Sequence, residues 1–520
     1  LVPGTVLAPA PLRAAPETVT PFTPWKARIP VRGGREAPAT GRRLPSVVPW
    51  TVAALLVPAA MAFAGLFLPF GEFGLRKLLV KANVKALLRH PVWWLGLALA
   101  AWLLLQEANP AYRYQTNGEK WWLLVLEPVS WLPQGIDGPF RLGNSFRELL
   151  FLGAPFLGVL ALAIGIRRRL PLQTILIVMV FNALGVALIG MVQTGMRLQG
   201  VEAQKLLFLF PPESLDAPER HPFFGSFVGR NQAAAFLNLN ASLAFGLAIL
   251  LWGRSLRRGL TGGPHFIFSA AGALLGVGAI ATASRAGVIF GLAVFLVAIL
   301  ALFVTPLRFG RKKVAAGILI ISLAGAAILG VALYKQGSLT RIAERFDQMT
   351  LFKSPEEAAE LRPWERIDDR RRILLAKLAL RAIDENTWQG QGPSGFAYFS
   401  PQVMLDWFPD EETLIDPIAK RKGVIQLRAL SRHVHNDWLE YPMEYGAGAF
   451  LMLAMLLYWP IEALCRHCRL GPLQILGGFG CALTLLHAVV DFPFQSGSIL
   501  AFFSLIWAGL ARTGFKTREA

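Results

Sequence analysis

The stretch RHVHNDWLE, residues 432–440, gathers Arg432, His433, His435, Asn436 and Asp437 into six positions and closes on Glu440. A neutral imidazole near pH 7 is well suited to take a proton from a hydroxyl nucleophile. His435 is therefore a candidate general base, with Asp437 or Glu440 as the carboxylate that orients it or supports its charged form. Two other readings of the same letters stay open. Asn436 or Asp437 is a good helix N-cap, and Glu440 stands three residues beyond Asp437 as in a capping box; this accounts for the acids but needs no histidine. His433, His435 and Asp437 are also metal-ligand types, but i, i+2 spacing with no distant partner makes a weak site. Cys465 and Cys468, in CRHC, are half a zinc motif with no second pair. No metal and no cofactor is expected.

Arginines supply the second kind of chemistry. In ATASRAGVIF (281–290) Arg285 stands where one apolar run meets the next, and in FFGSFVGRNQAAAFLNLN (223–240) Arg230 opens another. A guanidinium fork suits phosphate oxygens, so two arginines at helix ends on one side of a membrane can bracket a diphosphate. The alternative is that each snorkels to the interface. Asn238 lies one to two turns deeper, where an amide normally faces a bundle interior or a cavity. In LLHAVVDFPFQSG (485–497) His487 and Asp491 are four apart, and Asp491 precedes FPF, where a helix must break. Asp491 either supports the arginines or is a helix-terminal residue facing water.

The elements that carry these residues must cross a membrane. Hydrophobic residues make up 54% of the 520 and charged residues 16%, with mean hydropathy +0.47, and several apolar runs reach the ~20 residues that span ~30 Å of hydrocarbon. They are apolar all round, which excludes barrel strands. The sequence predicts an all-α polytopic membrane protein of about 11–12 transmembrane helices. Spans are expected at about 51–70, 91–106, 149–166, 172–195, 231–252, 265–283, 286–306, 313–334, 443–464, 471–489 and 496–512. The net charge of +19 is read as lysine and arginine in cytoplasmic loops rather than as a nucleic-acid footprint. RRRL (167–170), GRSLRRG (253–259) and RFGRKK (308–313) then lie inside, and 107–148, 197–230 and 335–440 outside. Eleven spans put the basic N-terminus outside, against that rule; either 51–70 does not cross fully or a further span lies within 71–90. Within 74–90, Lys77, Lys81, Lys85 and Arg89 form one cationic stripe, suited to an anionic membrane surface.

Four segments are expected. Residues 1–49 are a basic, Pro/Ala/Gly-rich disordered tail, and the first apolar run follows it, so no cleavable signal peptide is read. Residues 50–334 form an N-terminal transmembrane bundle, and 441–520 the last transmembrane helices with a short cytoplasmic tail. Between them, 335–440 is a large, nearly neutral extracytoplasmic loop domain, with an amphipathic helix at 366–385 and a glycine-rich turn, WQGQGPSGF, at 388–396. Trp388, Phe396 and Tyr398 either stack on sugar faces or form the loop's own core.

SRAG, GRNQAAA, WQGQGPSGF, HVHNDWLEYPMEYGAGAF and HAVVDFPF, in this order over residues 145–512, resemble the O-antigen ligase/polymerase superfamily. The resemblance implies a C-type, metal-independent glycosyltransferase fold in the bacterial inner membrane. Its active site faces the periplasm and takes a glycan from undecaprenyl diphosphate to an acceptor hydroxyl. It also implies that Arg230 and Arg285 bind the diphosphate, that His435 is the base, and that Asn436, Asp437 and Asp491 support them. The partners implied are the undecaprenyl-diphosphate-linked donor, a glycan or lipid A-core acceptor, membrane lipids and polysaccharide-assembly proteins. Ligase, polymerase and protein O-glycosylation chemistries share these residues and stay open. The rival class is a transporter or flippase of the lipid-linked oligosaccharide, which needs no proton acceptor. The basic tail and the 74–90 helix are not part of the family pattern.

Overall fold

The computed structural model describes residues 47–67, 73–116, 121–140, 142–166, 168–199, 224–227, 229–260, 262–335, 363–386, 388–400, 432–466 and 470–513. The N-terminal tail through residue 46, most of the 197–230 loop, much of the 335–440 loop, Cys468 and the C-terminal tail from 514 lie outside the described residues.

The helices are α1 (Val47–Gly65), α2 (Phe73–Arg89), α3 (Pro91–Ala108), α4 (Ser145–Gly165), α5 (Arg169–Leu198), α6 (Arg230–Arg257), α7 (His265–Ala281), α8 (Arg285–Leu307) and α9 (Lys312–Lys335). They continue as α10 (Pro363–Glu385), α11 (Asp437–Tyr445), α12 (Gly448–Arg466), α13 (Pro472–Val490) and α14 (Gly497–Arg512). Among the described residues seven are long and apolar enough to cross a membrane, and α7, α14 and Ala54–Gly65 of α1 are shorter apolar helices. The protein is a multi-pass helical membrane protein, as its composition requires.

Two features depart from the expected pattern. The 107–148 segment contains a small sheet of β1 (Pro110–Thr116), β2 (Trp121–Val125) and β3 (Gly135–Asp137), in the order β2-β1-β3. β1 pairs antiparallel with β2, Tyr114 opposite Leu123, and parallel with β3. The span expected to start at 443 starts instead at 448. Gly446, at φ +53°, ends α11, and the chain restarts as α12.

The described residues form two compact units. One is made of the described residues within 47–56, 93–153 and 367–455; the other of those within 57–92, 154–366 and 456–513.

In the second unit α6 is the central helix, buried from Ala233 through Ile249 without a break. Without a hydrophobic drive between helices in lipid, close approach of small residues is what packs them. A Cβ on Gly272 would stand 3.0 Å from Phe245, one on Gly480 2.6 Å from Ser242, and one on Gly246 3.1 Å from Leu473. These contacts seat α7 and α13 against α6, and α5 and α8 pack against it as well.

The first unit is organised by α10. Leu374, Leu375, Leu378, Ala379 and Ala382 repeat at helical spacing and pack with Phe396, Val434 and Met443 into one core. The turn 388–396 lies across the end of α11 by backbone bonds: Gln391 N donates to Met443 O (2.8 Å), Gly392 N to Glu444 O (2.9 Å), and Ala447 N to Trp388 O (3.0 Å). Gly390 and Gly446 make this crossing possible, both at positive φ, because a Cβ on either would run into the backbone of the other's segment.

Candidate functional site

Arg230 is the first residue of α6 and Arg285 the first of α8. Helix N-termini carry unsatisfied N–H groups and the positive end of the macrodipole, so both arginines stand where anions are already favoured. Gly229 caps α6; Ser284 caps α8, its hydroxyl accepting from Gly287 N at 3.2 Å. The two helices meet near these ends. Asn238 Nδ2 donates to Gly287 O at 3.0 Å, and a Cβ on Gly287 would collide with the Ala234 side chain. Ala234 is four residues past Arg230 and Gly287 two past Arg285, and Gly291 meets Asn238 one turn on, so the helices run parallel with their N-termini offset by about 3 Å along the axis at 1.5 Å per residue. The amide of Asn238 thus acts as a strut between the helices.

The approach to each arginine is also built. Before α6, Phe224 and Phe227 exchange backbone bonds of 2.9 and 3.1 Å around Gly225, at φ +61°. Gln193, fully buried on α5, grips this loop with both ends of its amide. Its Oε1 accepts from Gly225 N at 2.7 Å and its Nε2 donates to Gly225 O at 3.2 Å. Before α8, Ala283 adopts φ +53°, and Thr282 Oγ1 accepts from Ser284 N at 3.2 Å. Asp491 is the C-cap of α13, buried at 3% exposure, and its carboxylate lies 3.9 Å from His487 Nε2. The His487 ring meets Phe290 of α8 edge-on at 5.6 Å. The second unit therefore brings Arg230, Arg285, Asn238, His487 and Asp491 onto three packed helices, with Arg230 and Arg285 at neighbouring N-termini.

The histidine motif belongs to the first unit. Asn436 is the N-cap of α11, and its side chain accepts from Leu439 N at 3.2 Å. Asp437, buried, is the first helical residue. Glu440 does not complete the capping box that its spacing suggested. It reaches back past the cap: Oε2 accepts from Val434 N at 2.8 Å, and Oε1 lies 2.6 Å from His433 Nδ1. Val434 is a core residue at 1% exposure. His435, between this clamp and the cap, is held at φ +60° and is half-buried. A left-handed conformation costs a non-glycine residue about 1–2 kcal/mol and survives only where the surroundings over-determine it.

Buried acids accumulate around the clamp. Desolvation pushes the Glu440 carboxyl up to about 8, with the charge of Glu148 adding to it and the Val434 N–H opposing. Desolvation also raises the Glu444 carboxyl well above its ordinary range, helped by Glu440 and Glu148, although Phe396 N donates to its Oε1 at 3.3 Å. Gln106 of α3 donates to Glu444 O at 3.0 Å. Of the three loop aromatics read as either sugar-stacking or loop core, Phe396 and Tyr398 are core residues at 2% and 4% exposure, and the Tyr398 hydroxyl donates to Gly143 O at 3.0 Å. Trp388 is 53% exposed.

Gln193, Gln106, Glu444 and the clamping role of Glu440 were not read from the sequence. The one available signal was a polar side chain inside an apolar run. Among the described residues no group of three or more His, Cys, Asp or Glu is placed to hold a metal ion.

Residues 270–454 match the family model described as O-antigen ligase. The matched segment contains Arg285, the 388–396 turn and His435, and begins after Arg230. No curated protein matches the chain.

Proposed function

We propose that this chain, whose residues 270–454 match the O-antigen ligase family model, is a member of the O-antigen ligase/polymerase superfamily and transfers a glycan from undecaprenyl diphosphate to an acceptor hydroxyl at the periplasmic face of the inner membrane. Membership of the superfamily gives ligase or polymerase chemistry in general, with lipid-linked glycans and polysaccharide acceptors as its substrates. The donor, the residues and the side of the membrane are this proposal.

The acceptor oxygen attacks the anomeric carbon, the bond from that carbon to the diphosphate oxygen breaks, and undecaprenyl diphosphate leaves. Arg230 and Arg285 neutralise the charge that grows on the leaving group, an interaction stronger in the transition state than in the ground state. His435 takes the acceptor proton through its imidazole. Asp491 supports the arginine end, while Asp437 and Asn436 support the histidine. Direct attack inverts the anomeric carbon.

The observation that carries this reading is the placement of Arg230 and Arg285 at two contacting helix N-termini, tied by Asn238 to Gly287. A transporter reading uses the same arginines but gives no task to His435. The test is full-length protein reconstituted with a defined undecaprenyl-diphosphate-linked oligosaccharide and candidate acceptors. Glycan transfer with release of undecaprenyl diphosphate is expected, and flipping without transfer would favour the transporter. Cysteine labelling that places positions 285 and 435 on opposite sides of the bilayer would end the proposal.

A further inference from the structure

We infer that Glu440 is a positioning residue: its carboxyl fixes the backbone of residues 433–434 so that His435 is presented in its left-handed conformation. The inference deepens the proposed function, resting on His435 as the proton acceptor, and it turns on atoms that His435 does not supply.

Three observations converge on it. The first is the double attachment. One carboxyl group holds both the Val434 N–H at 2.8 Å and the His433 ring nitrogen at 2.6 Å, so the chain just before His435 is tied by backbone and by side chain. The second is the closure on the other side. Asn436 caps α11, and its carbonyl accepts from Glu440 N at 2.9 Å. The loop from 434 to 440 is thereby a closed ring whose one strained member is His435. The third is the seating of the ring. Val434 packs in the core of α10, and Glu440 itself is 1% exposed, so neither end of the clamp is free to follow solvent. A cap alone needs only Asn436; the reach of Glu440 past it has no use in starting α11.

The protonation of the clamp follows from its surroundings. Glu440 faces His433 from its own loop, Tyr441 and Glu444 along α11, and Glu148 from α4, with Arg147 beside Glu148. Burial among these acids holds its proton, and with a carboxyl pushed up to about 8 the neutral acid is the form present at pH 7. The neutral acid donates from Oε1 to His433 Nδ1 while Oε2 accepts from Val434 N. A glutamine matches this pattern atom for atom, with Nε2 as donor to His433 and Oε1 as acceptor from Val434. Alanine removes both bonds.

The experiment compares wild type, Glu440→Gln, Glu440→Ala and His433→Ala as full-length protein in proteoliposomes, normalised to folded protein. Hydrogen exchange of the peptide covering Val434 is read alongside undecaprenyl diphosphate release from a defined undecaprenyl-diphosphate-linked oligosaccharide. Glu440→Ala is expected to expose the Val434 amide and to lower kcat by about 100-fold, the scale on which a misplacement of about 1 Å acts, with KM for the donor held within about threefold. Glu440→Gln restores protection of Val434 and most of the rate, and His433→Ala, which removes one of the two attachments, falls between. Unchanged exchange in Glu440→Ala overturns the inference. So does Glu440→Gln losing as much rate as Glu440→Ala, which would make the carboxyl a proton carrier instead of a positioner. If the wild type itself releases no undecaprenyl diphosphate, the proposed function fails, and the exchange arm still decides the clamp.

Discussion

The loop that delivers Arg230 and the loop that delivers His435 are built alike and secured differently. Each is a short irregular stretch entering a helix, and each is gripped by one buried side chain that uses both of its polar atoms. For the Arg230 loop the grip is the Gln193 amide on Gly225, which has one donor and one acceptor by covalent structure. For the His435 loop it is the Glu440 carboxyl, which matches that pattern only while it keeps its proton. The strain is also placed differently. In the first loop the positive φ falls on Gly225 at no steric cost, whereas in the second it falls on His435 itself. In the proposed function Arg230 is a binding group on a long flexible arm, which tolerates a relaxed loop, whereas His435 is an imidazole that must meet one proton and does not. Ala283, two residues before Arg285, shows that strain is not confined to the histidine side.

The division of labour between the loops is broken most directly by removing what they deliver. His435→Ala should lower glycan transfer by about 10²–10⁴-fold, the range for loss of a general base, while the protein stays folded and donor binding persists. Transfer at the normal rate would remove the histidine from the chemistry. Arg230→Ala and Arg285→Ala should each cost about 10²–10³-fold, as for loss of one charge-stabilising group, and should weaken retention of a lipid diphosphate, which His435→Ala leaves intact. Equal donor retention in all three variants would erase the difference between the two loops.

The grips themselves sharpen the comparison through reciprocal swaps. Gln193→Glu, once ionised, leaves the Gly225 carbonyl without its donor, at about 1–3 kcal/mol for a buried unsatisfied group. Glu440→Gln leaves nothing unsatisfied. Thermal unfolding in detergent should therefore show a loss for the first and none for the second at pH 7; the opposite order would sink the reading of Glu440 as a neutral acid.

Stability against pH should follow the same logic. The Glu440 carboxyl is pushed up to about 8 from an ordinary value near 4.5. Between these values the folded state binds the proton and the unfolded state does not, so stability falls as pH rises through the window and levels off above about 8. The slope from one such group approaches about 1.4 kcal/mol per pH unit. It should be shallower in Glu440→Gln than in wild type, measured from pH 5 to 9. The smallest effect expected is relief of strain: Ala283→Gly should stabilise by about 1 kcal/mol, against the usual cost of glycine, and His435→Gly should be more stable than His435→Ala by a similar amount.

Much of this was open to a reader of the letters alone. Arg230 and Arg285 stand out because a charge that opens an apolar run has few reasons to be there, and both prove to be first residues of helices. The α10 stripe was visible in its spacing. The break at Gly446 was not, because the apolar run around it is continuous and only the crossing with Gly390 demands a turn there. The β1–β3 sheet was hidden in the segment between two spans, since its strand pairing joins residues that no helical or membrane periodicity marks. Glu444 fell inside the expected 443–464 span and carried no mark of its own; the bonds from Phe396 N to its carboxyl group and from Gln106 to its carbonyl give it a place.

Local chemistry, then, is what the amino-acid order dictates: membrane spans from unbroken hydrocarbon, helix starts from caps and arginines, and a candidate proton acceptor from an imidazole among polar neighbours. The strained backbone at His435 and the two buried grips were decided by tertiary structure. Gln193 and Gly225 are 32 positions apart, and Gln106 and Glu444 are 338 apart. A bond between such distant groups has no periodicity to announce it. It forms because burial removes water as the competing partner and leaves each polar atom only the partner that the folded chain brings to it.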